Sequence, residues 1–135
     1  MENKQRYFLR KKDRLKSRKI IDTIFSKGNS FSNFPFKVIW LPKNEAAVMQ
    51  AGIGVSSRNF KKAVDRNRIK RLMREAWRLQ KNKLEESLQH KNKTMSVFIL
   101  YSGKELPEYS VVFEKFTTII NRLIKITDAN TEVHT

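Results

Sequence analysis

The feature that most constrains the fold is an amphipathic segment from about Ala63 to Leu88. Placed at the 100° steps of an α-helix, its apolar side chains occupy one arc and its cations largely the opposite arc. The apolar arc contains Ile69, Leu72, Met73, Ala76 and Leu79, and the polar arc contains Asn67, Lys70, Arg71, Arg74, Arg78 and Lys81. The segment therefore predicts a long helix with one side on a core and a basic side facing away from it.

Shorter patterns predict the other elements. A first helix begins at the N-cap residue Ser17, carries an apolar stripe that includes Ile24 and Phe25, and ends at Gly28. From Phe34 to Trp40 the apolar residues alternate with period two, which indicates a strand. A second strand, from about 46 to 56, follows the turn at 42–45, so the two strands are expected to pair as a hairpin. Its glycines suggest a bulge or a close backbone approach.

The last part of the chain adds one strand and one helix. The almost continuously apolar run from Thr94 to Tyr101 is typical of a central strand covered on both faces. Apolar residues at helical spacing between Val112 and Ile124 predict the final helix.

The resulting order is α-β-β-α-β-α, which favours a single α+β domain with a small three-stranded sheet packed against helices. The second and third strands would form a crossover unit if they pair in parallel. The expected divisions are a basic arm at 1–16, the folded domain at 17–127 and a polar tail at 128–135.

The charge is concentrated in two segments of the 135-residue chain, whose net charge is +16. Residues 1–30 carry +7 and residues 58–93 carry +9, whereas 31–57 carry +1 and 94–135 carry −1. Segregated charge and arginine, whose planar fork suits bidentate phosphate contacts, indicate a nucleic-acid-binding face. The alternatives are an ordinary solvated helix face and a membrane-surface helix, which is disfavoured because the small core needs the apolar arc.

Nothing in the chain predicts a catalytic centre of its own. Cysteine is absent, His90 and His134 lie in polar surroundings, and no residues have the spacing of metal ligands or of a phosphate-binding glycine loop. The apolar runs are too short to span a bilayer, and no secretory signal is visible. These features favour a soluble, cytoplasmic protein with no metal site and no membrane association.

Aromatic residues cluster between the first helix and the first predicted strand, namely Phe25, Phe31, Phe34, Phe36 and Trp40. They could form ordinary core, or they could line a cleft in which unpaired bases stack. The sequence leaves both interpretations open.

The run from Ala63 to Glu75 (AVDRNRIKRLMRE) resembles the RNR signature of the protein component of bacterial ribonuclease P. It follows a strand end with Gly52, Val55 and Ser56, as in that family, and the resemblance covers about residues 10–127. It implies a small α+β fold with a left-handed crossover, an exception to the usual right-handed rule. It also implies that this chain is a subunit of an endoribonuclease that removes the 5′ leader of precursor tRNA. In that family a catalytic RNA performs the hydrolysis with Mg²⁺, which the RNA mainly binds.

The resemblance also implies site residues and partners. Catalytic-RNA contacts carry over to Arg58, Lys61, Lys62, Arg66, Asn67, Arg68, Lys70, Arg71 and Arg74. Phe25, Phe36 and Trp40 are the candidates for the cleft that holds the leader. The expected partners are ribonuclease P RNA and precursor tRNA, and the protein is expected to be monomeric without RNA.

Two positions depart from the family pattern. Ser57-Arg58-Asn59 carries one cation where paired lysines are usual, and Ile21 stands where an aromatic residue is frequent. The alternative functions are a structural ribosomal-type RNA-binding protein and, less favoured, a DNA-binding module, for which no helix-turn-helix spacing is visible.

Overall fold

The computed structural model describes residues 24–42 and 49–133, with side chains described as far as residue 128. The elements in chain order are α1 (24–27), β1 (Asn29–Asn33), β2 (Phe36–Pro42), β3 (Met49–Val55), α2 (Ala63–His90), β4 (Met95–Tyr101) and α3 (Tyr109–Val133). The predicted arm at 1–16, the Ser17 cap, Ile21 and the segment 43–48 lie outside the described residues. The α+β class is confirmed, with one more strand than predicted.

The additional strand is β1, whose sequence NSFSN buries only Phe31. Such a polar stretch carries almost no periodic apolar signal, because β1 lies at the edge of the sheet and its exposed positions need no apolar side chains. The order along the chain is therefore α-β-β-β-α-β-α.

The predicted hairpin between the second and third strands of the chain is wrong. The four strands lie in the order β1-β2-β4-β3, so β4 separates β2 from β3. β2 is antiparallel to β1 and β4, whereas β3 is parallel to β4. The strand that is apolar on both faces takes a central position, and this tertiary preference overrides proximity in sequence. The parallel pairing confirms the crossover unit β3-α2-β4.

One face of the sheet, here called the closed face, packs against α2 and α3. β2 contributes Phe36, Val38 and Trp40 to it, and β4 contributes alternate residues from Met95 to Tyr101. Phe34, which the alternation placed on the same face, instead lies in the turn between β1 and β2 and is 75% exposed.

α2 confirms the predicted helix, but its buried arc is rotated from the predicted one. Trp77, Leu84 and Leu88 are buried, and Leu79 is 40% exposed. Trp77 lies edge-on to Phe116 of α3, with 6.5 Å between ring centroids, so the contact with α3 turns this side of α2 inward. Lys81, predicted on the basic side, is consequently buried and lies 3.6 Å from the Glu85 carboxylate.

Two helix ends show how contacts set the boundaries. α3 continues past the predicted end to Val133, and the Asp128 carboxylate near this end pairs with Lys91 Nζ at 2.8 Å. Gly28 ends α1 as predicted, and its N–H donates to the Ile24 carbonyl. A Cβ on Gly28 would lie 2.5 Å from that oxygen and 2.9 Å from the Trp40 oxygen. Close backbone approach therefore explains this glycine.

Candidate RNA-binding surfaces

The first candidate surface is the α2 basic face, defined as Asn67, Arg68, Lys70, Arg71 and Arg74. Lys70 is half-buried and the other four side chains are exposed. None of its four cations forms an ion pair with any residue that the structure describes. Neighbouring like charges on a helix are unfavourable by a few tenths of a kcal/mol per pair, so this surface is suited to a polyanion.

The cations that follow on the same helix are arranged differently. Arg78 donates to both carboxylate oxygens of Glu75, at 3.2 and 2.6 Å. Lys81 and Lys91 have acidic partners in Glu85 and Asp128. Lys83 also lacks an acidic partner in the described chain. The cations without acidic partners are therefore concentrated in the N-terminal part of α2, where the signature lies, although they are not confined to it.

Arg66 belongs to the same signature but has contacts inside the chain. Its Nη1 donates to the carbonyl oxygens of Phe60 and Lys61, both at 2.8 Å. These bonds tie the β3–α2 loop, residues 56–62, to the start of α2. Arg66 thereby positions the exposed side chains of Lys61 and Lys62 beside the basic face.

The β3–α2 loop also borders a cleft of about 650 Å³ lined by Ser56, Ser57, Arg58, Asn59, Leu100 and Lys104. Asn59 Nδ2 donates to the carbonyl oxygens of Ser102 and Gly103, both at 3.2 Å, which joins this loop to the β4–α3 loop. Arg58 and Lys104 are exposed there. Lys104 was missed because an isolated lysine carries no sequence signal, whereas Arg58 was predicted from the resemblance.

The second candidate surface is the open face, the side of the sheet opposite α2 and α3. α1 covers part of it, since Ile24 is buried against Ile39 and Phe25 contacts Phe98 edge-on, with centroids 5.3 Å apart. Phe25 remains 52% exposed. The strands contribute Lys37, Ile39, Leu41, Gly52, Gly54, Ser96, Phe98 and Leu100 to this face.

Gly54 gives the open face part of its shape. A Cβ at this position would lie 2.8 Å from Cζ of Phe98 and 3.3 Å from Cδ1 of Leu100. The predicted close approach at the strand glycines is thus confirmed for Gly54, although the group that approaches it is an aromatic ring. The missing side chain lets the ring lie low across the neighbouring strand.

The placement of Phe36 and Trp40 in the leader cleft is corrected by the structure. They lie on the closed face and are only 1% and 7% exposed, so neither ring faces α1. Phe98 and Leu100 occupy the open face instead. The sequence concealed them because β4 is apolar at nearly every position, and alternation cannot identify an exposed side in such a run.

Other kinds of site have no support among the described residues. Residues 24–42 and 49–133 contain no group of three or more His, Cys, Asp or Glu side chains that could hold a metal ion. Within the same ranges, no helix is long and apolar enough to cross a membrane.

Comparison with known proteins identifies the family of this chain. A family model described as Ribonuclease P matches residues 9–124. The ribonuclease P protein component of Porphyromonas gingivalis is 36% identical over 106 residues, which make up 77% of each chain. That of Chlorobium phaeobacteroides is 28% identical over 127 residues, covering 85% of this chain and 87% of the relative.

Solved structures show the same fold. The RNase P protein from Thermotoga maritima has a TM-score of 0.65 at 28% identity and covers 81% of this chain and 96% of its own. The Staphylococcus aureus RNase P protein has a TM-score of 0.64 at 22% identity, covering 82% and 94%. Signature, fold and family match agree, and the chain belongs to the ribonuclease P protein family as a protein subunit of that ribonucleoprotein enzyme.

Proposed function

We propose that the α2 basic face and the β3–α2 loop bind ribonuclease P RNA, while the open face binds the single-stranded 5′ leader of precursor tRNA. The observation that carries the proposal is the set of four cations on the α2 basic face that lack acidic partners among the described residues. Their charge is available to an external polyanion.

The α2 basic face suits structured RNA because it is rigid and rich in arginine. Asn67 and Arg74 are separated by about 10 Å along the helix axis, at 1.5 Å per residue. Guanidinium groups on such a scaffold can form bidentate bonds to phosphates without first ordering a loop. Arg58, Lys61 and Lys62 extend the same positive surface beyond the start of the helix.

The open face suits single-stranded RNA because its aromatic rings are partly exposed to solvent and can stack with unpaired bases. Phe25 is more than half exposed and Phe98 is half-buried beside it. Unpaired bases stack on such rings with about 1–3 kcal/mol each, whereas bases inside a duplex are inaccessible. Lys37, exposed on this face, supplies charge for the leader phosphates.

In this proposal the chemistry belongs to the RNA. The described residues contain no cluster of three or more potential metal ligands, and no step is assigned to a metal held by the protein. The protein instead neutralises phosphates and holds the leader, which lowers the electrostatic cost of bringing two RNAs together. It acts in the cytoplasm as a monomer before it binds RNA, and sedimentation of the free protein tests the monomeric state.

RNA binding by α2 is tested with Arg71→Ala and Arg74→Ala, using Lys83→Ala as the matched control. Lys83 is an exposed cation on another side of the same helix. Each arginine variant should bind ribonuclease P RNA more weakly and lower the log–log salt slope by roughly 0.7–0.9, with unfolding unchanged. An equal slope for all three variants and the unmodified protein would contradict the proposed surface.

Leader binding is tested in the reconstituted holoenzyme. Adding the protein should lower the Mg²⁺ concentration needed to cleave precursor tRNA. Phe25→Ala should weaken binding of a substrate with a long leader and leave a one-nucleotide leader unaffected. Equal losses with both substrates would place Phe25 outside the leader site.

A further inference from the structure

Phe34 is an aromatic side chain that neither the core nor the open face uses. It lies in the two-residue turn between β1 and β2 and is 75% exposed, more than any other large apolar side chain described. It makes no ring contact with another aromatic residue of the described chain. Its ring therefore contributes little to folding.

The backbone that carries this ring is held firmly. The Pro35 carbonyl accepts hydrogen bonds from the N–H of Ser102 at 2.8 Å and from its hydroxyl at 3.1 Å. On the other side of Phe34, Asn33 Nδ2 donates to the Lys115 carbonyl at 3.4 Å. Both neighbours of Phe34 are thus anchored to other elements, so the ring projects from an ordered base.

This turn borders the cationic end of the sheet. A Cβ on Gly103 would lie 3.2 Å from Pro35 Cβ, so the two loops are in contact. Lys104 follows Gly103 and lines the 650 Å³ cleft together with Arg58. The loop also carries two acidic residues, Glu105 and Glu108. The Glu105 backbone carbonyl accepts the Tyr101 hydroxyl. The turn that exposes the ring thus contacts the loop that carries Lys104, and Lys104 shares its cleft with Arg58.

We propose that Phe34 is a stacking platform for an unpaired nucleobase whose neighbouring phosphates are held by Arg58 and Lys104. This rests on the proposed RNA-binding function, but it adds a site that is separate from the leader groove beneath α1. Rings bind bases of any sequence through their faces, and adjacent cations supply the phosphate contacts that such a site needs. The base comes from ribonuclease P RNA or from precursor tRNA.

The test uses Phe34→Ala, Phe34→Trp and the control Leu106→Ala, which truncates another exposed apolar residue in the β4–α3 loop. Phe34→Ala should weaken binding roughly 5- to 100-fold, as expected for the loss of one stacked base. Its salt slope should stay unchanged because no phosphate contact is lost, whereas Arg58→Ala should make the slope shallower. Leu106→Ala should leave both quantities unchanged.

Phe34→Trp supplies a direct signal. Trp40 and Trp77 are buried, so a change in tryptophan fluorescence on RNA binding would come mainly from the new, exposed indole. It should retain affinity, and its fluorescence should be quenched when a base stacks on it. Titrating with ribonuclease P RNA alone, and then adding precursor tRNA to the assembled holoenzyme, identifies which RNA supplies the base.

The inference is overturned if Phe34→Ala binds both RNAs within twofold of the unmodified protein and the introduced tryptophan is not quenched by either. Arg74→Ala in the same series separates the two proposals. If Arg74→Ala weakens binding and Phe34→Ala does not, the stacking site fails alone. If neither variant changes binding, the proposed function fails with it.

Discussion

The two faces of the sheet are built from the same strands but differ in how much of their aromatic surface is exposed. On the closed face, Phe36, Val38 and Trp40 are sealed beneath α2 and α3. On the open face, Phe98 and Leu100 are half-buried, and the α1 residue Phe25 is more than half exposed. Both faces carry large apolar side chains, although the open face also holds Lys37 and Ser96. Among the described residues, the clearer difference is the amount of helix that covers each face.

This contrast separates stability from recognition. Rings on the closed face are buried in the close-packed core, so they cannot contact a ligand unless the domain unfolds. Rings on the open face retain accessible surface, as the 52% exposure of Phe25 shows. We therefore expect closed-face substitutions to alter the free energy of unfolding and open-face substitutions to alter leader binding.

The largest effect is expected for Phe36→Ala. This ring contacts Tyr101 and Phe116 with centroids 5.3 and 5.1 Å away, and it is 1% exposed. Removing it leaves a cavity and should reduce the free energy of unfolding by about 3–5 kcal/mol in urea titrations. A loss no larger than that of Phe98→Ala would erase the proposed distinction between the faces.

A smaller loss is expected for Gly28→Ala, which tests how α1 is attached. The added Cβ would meet the Ile24 and Trp40 carbonyl oxygens, and backbone atoms cannot move aside easily. We expect the free energy of unfolding to fall by about 1–3 kcal/mol, as it does when a well-packed site is overpacked. Gly54→Ala is the matched control, because its added Cβ would meet the Phe98 ring, which can turn on the open face.

Gly54→Ala should therefore destabilise the protein by less than about 1 kcal/mol, the lower end of overpacking costs. Thermal unfolding of the two variants gives the comparison. Equal losses would show that Phe98 is held as tightly as a closed-face ring.

Phe98→Ala should have a modest effect on folding and a clear effect on binding. Loss of its edge-on contact with Phe25 should reduce the free energy of unfolding by about 1 kcal/mol. Leader affinity should fall by about 1–3 kcal/mol if a base stacks here. Binding assays with long-leader and one-nucleotide-leader substrates measure this, and an identical loss with both would remove Phe98 from the leader site.

The smallest effect concerns Tyr101 at the rim of the closed face. Its hydroxyl donates to the Glu105 carbonyl at 2.6 Å. Burial and the nearby Glu105 carboxylate raise the pKa of Tyr101 above its usual value of 10.0. The folded protein then holds this proton more tightly than the unfolded chain does, so stability falls as the pH rises above 10.0.

Tyr101→Phe should make the alkaline loss of stability shallower in denaturant titrations at increasing pH. Part of the loss should remain, because burial also raises the pKa of Tyr109. An alkaline profile identical to that of the unmodified protein would mean that the Tyr101 proton is not linked to folding.

Particular residues show what could be predicted before the fold was known. The span of α2, the end of α1 at Gly28 and the crossover between β3 and β4 followed from helical periodicity, capping and element order. β1 was missed because a polar edge strand has no periodic signal. The hairpin was wrong because neighbouring strands in sequence were assumed to pair, although β4 is the better central strand.

Of the two proposed binding surfaces, one could be predicted from the sequence and the other could not. The α2 basic face could be named from the sequence because its cations are close together on one helix. The proposed leader-binding pair could not be named in full, because Phe25 and Phe98 meet only after α1 folds over the sheet. Trp77 similarly turned part of the predicted basic arc inward, which buried Lys81.

The sequence by itself determined that this protein has a basic helix, a small α+β domain and the family signature, since periodicity and charge order are local properties of the chain. Only the tertiary structure decided which apolar face is core and which is groove. A strand that is apolar at nearly every position, such as β4, has two similar sides until helices cover one of them. The packing of α2 and α3 against Phe36 and Trp40 made that choice, and it left Phe25 and Phe98 on the open face.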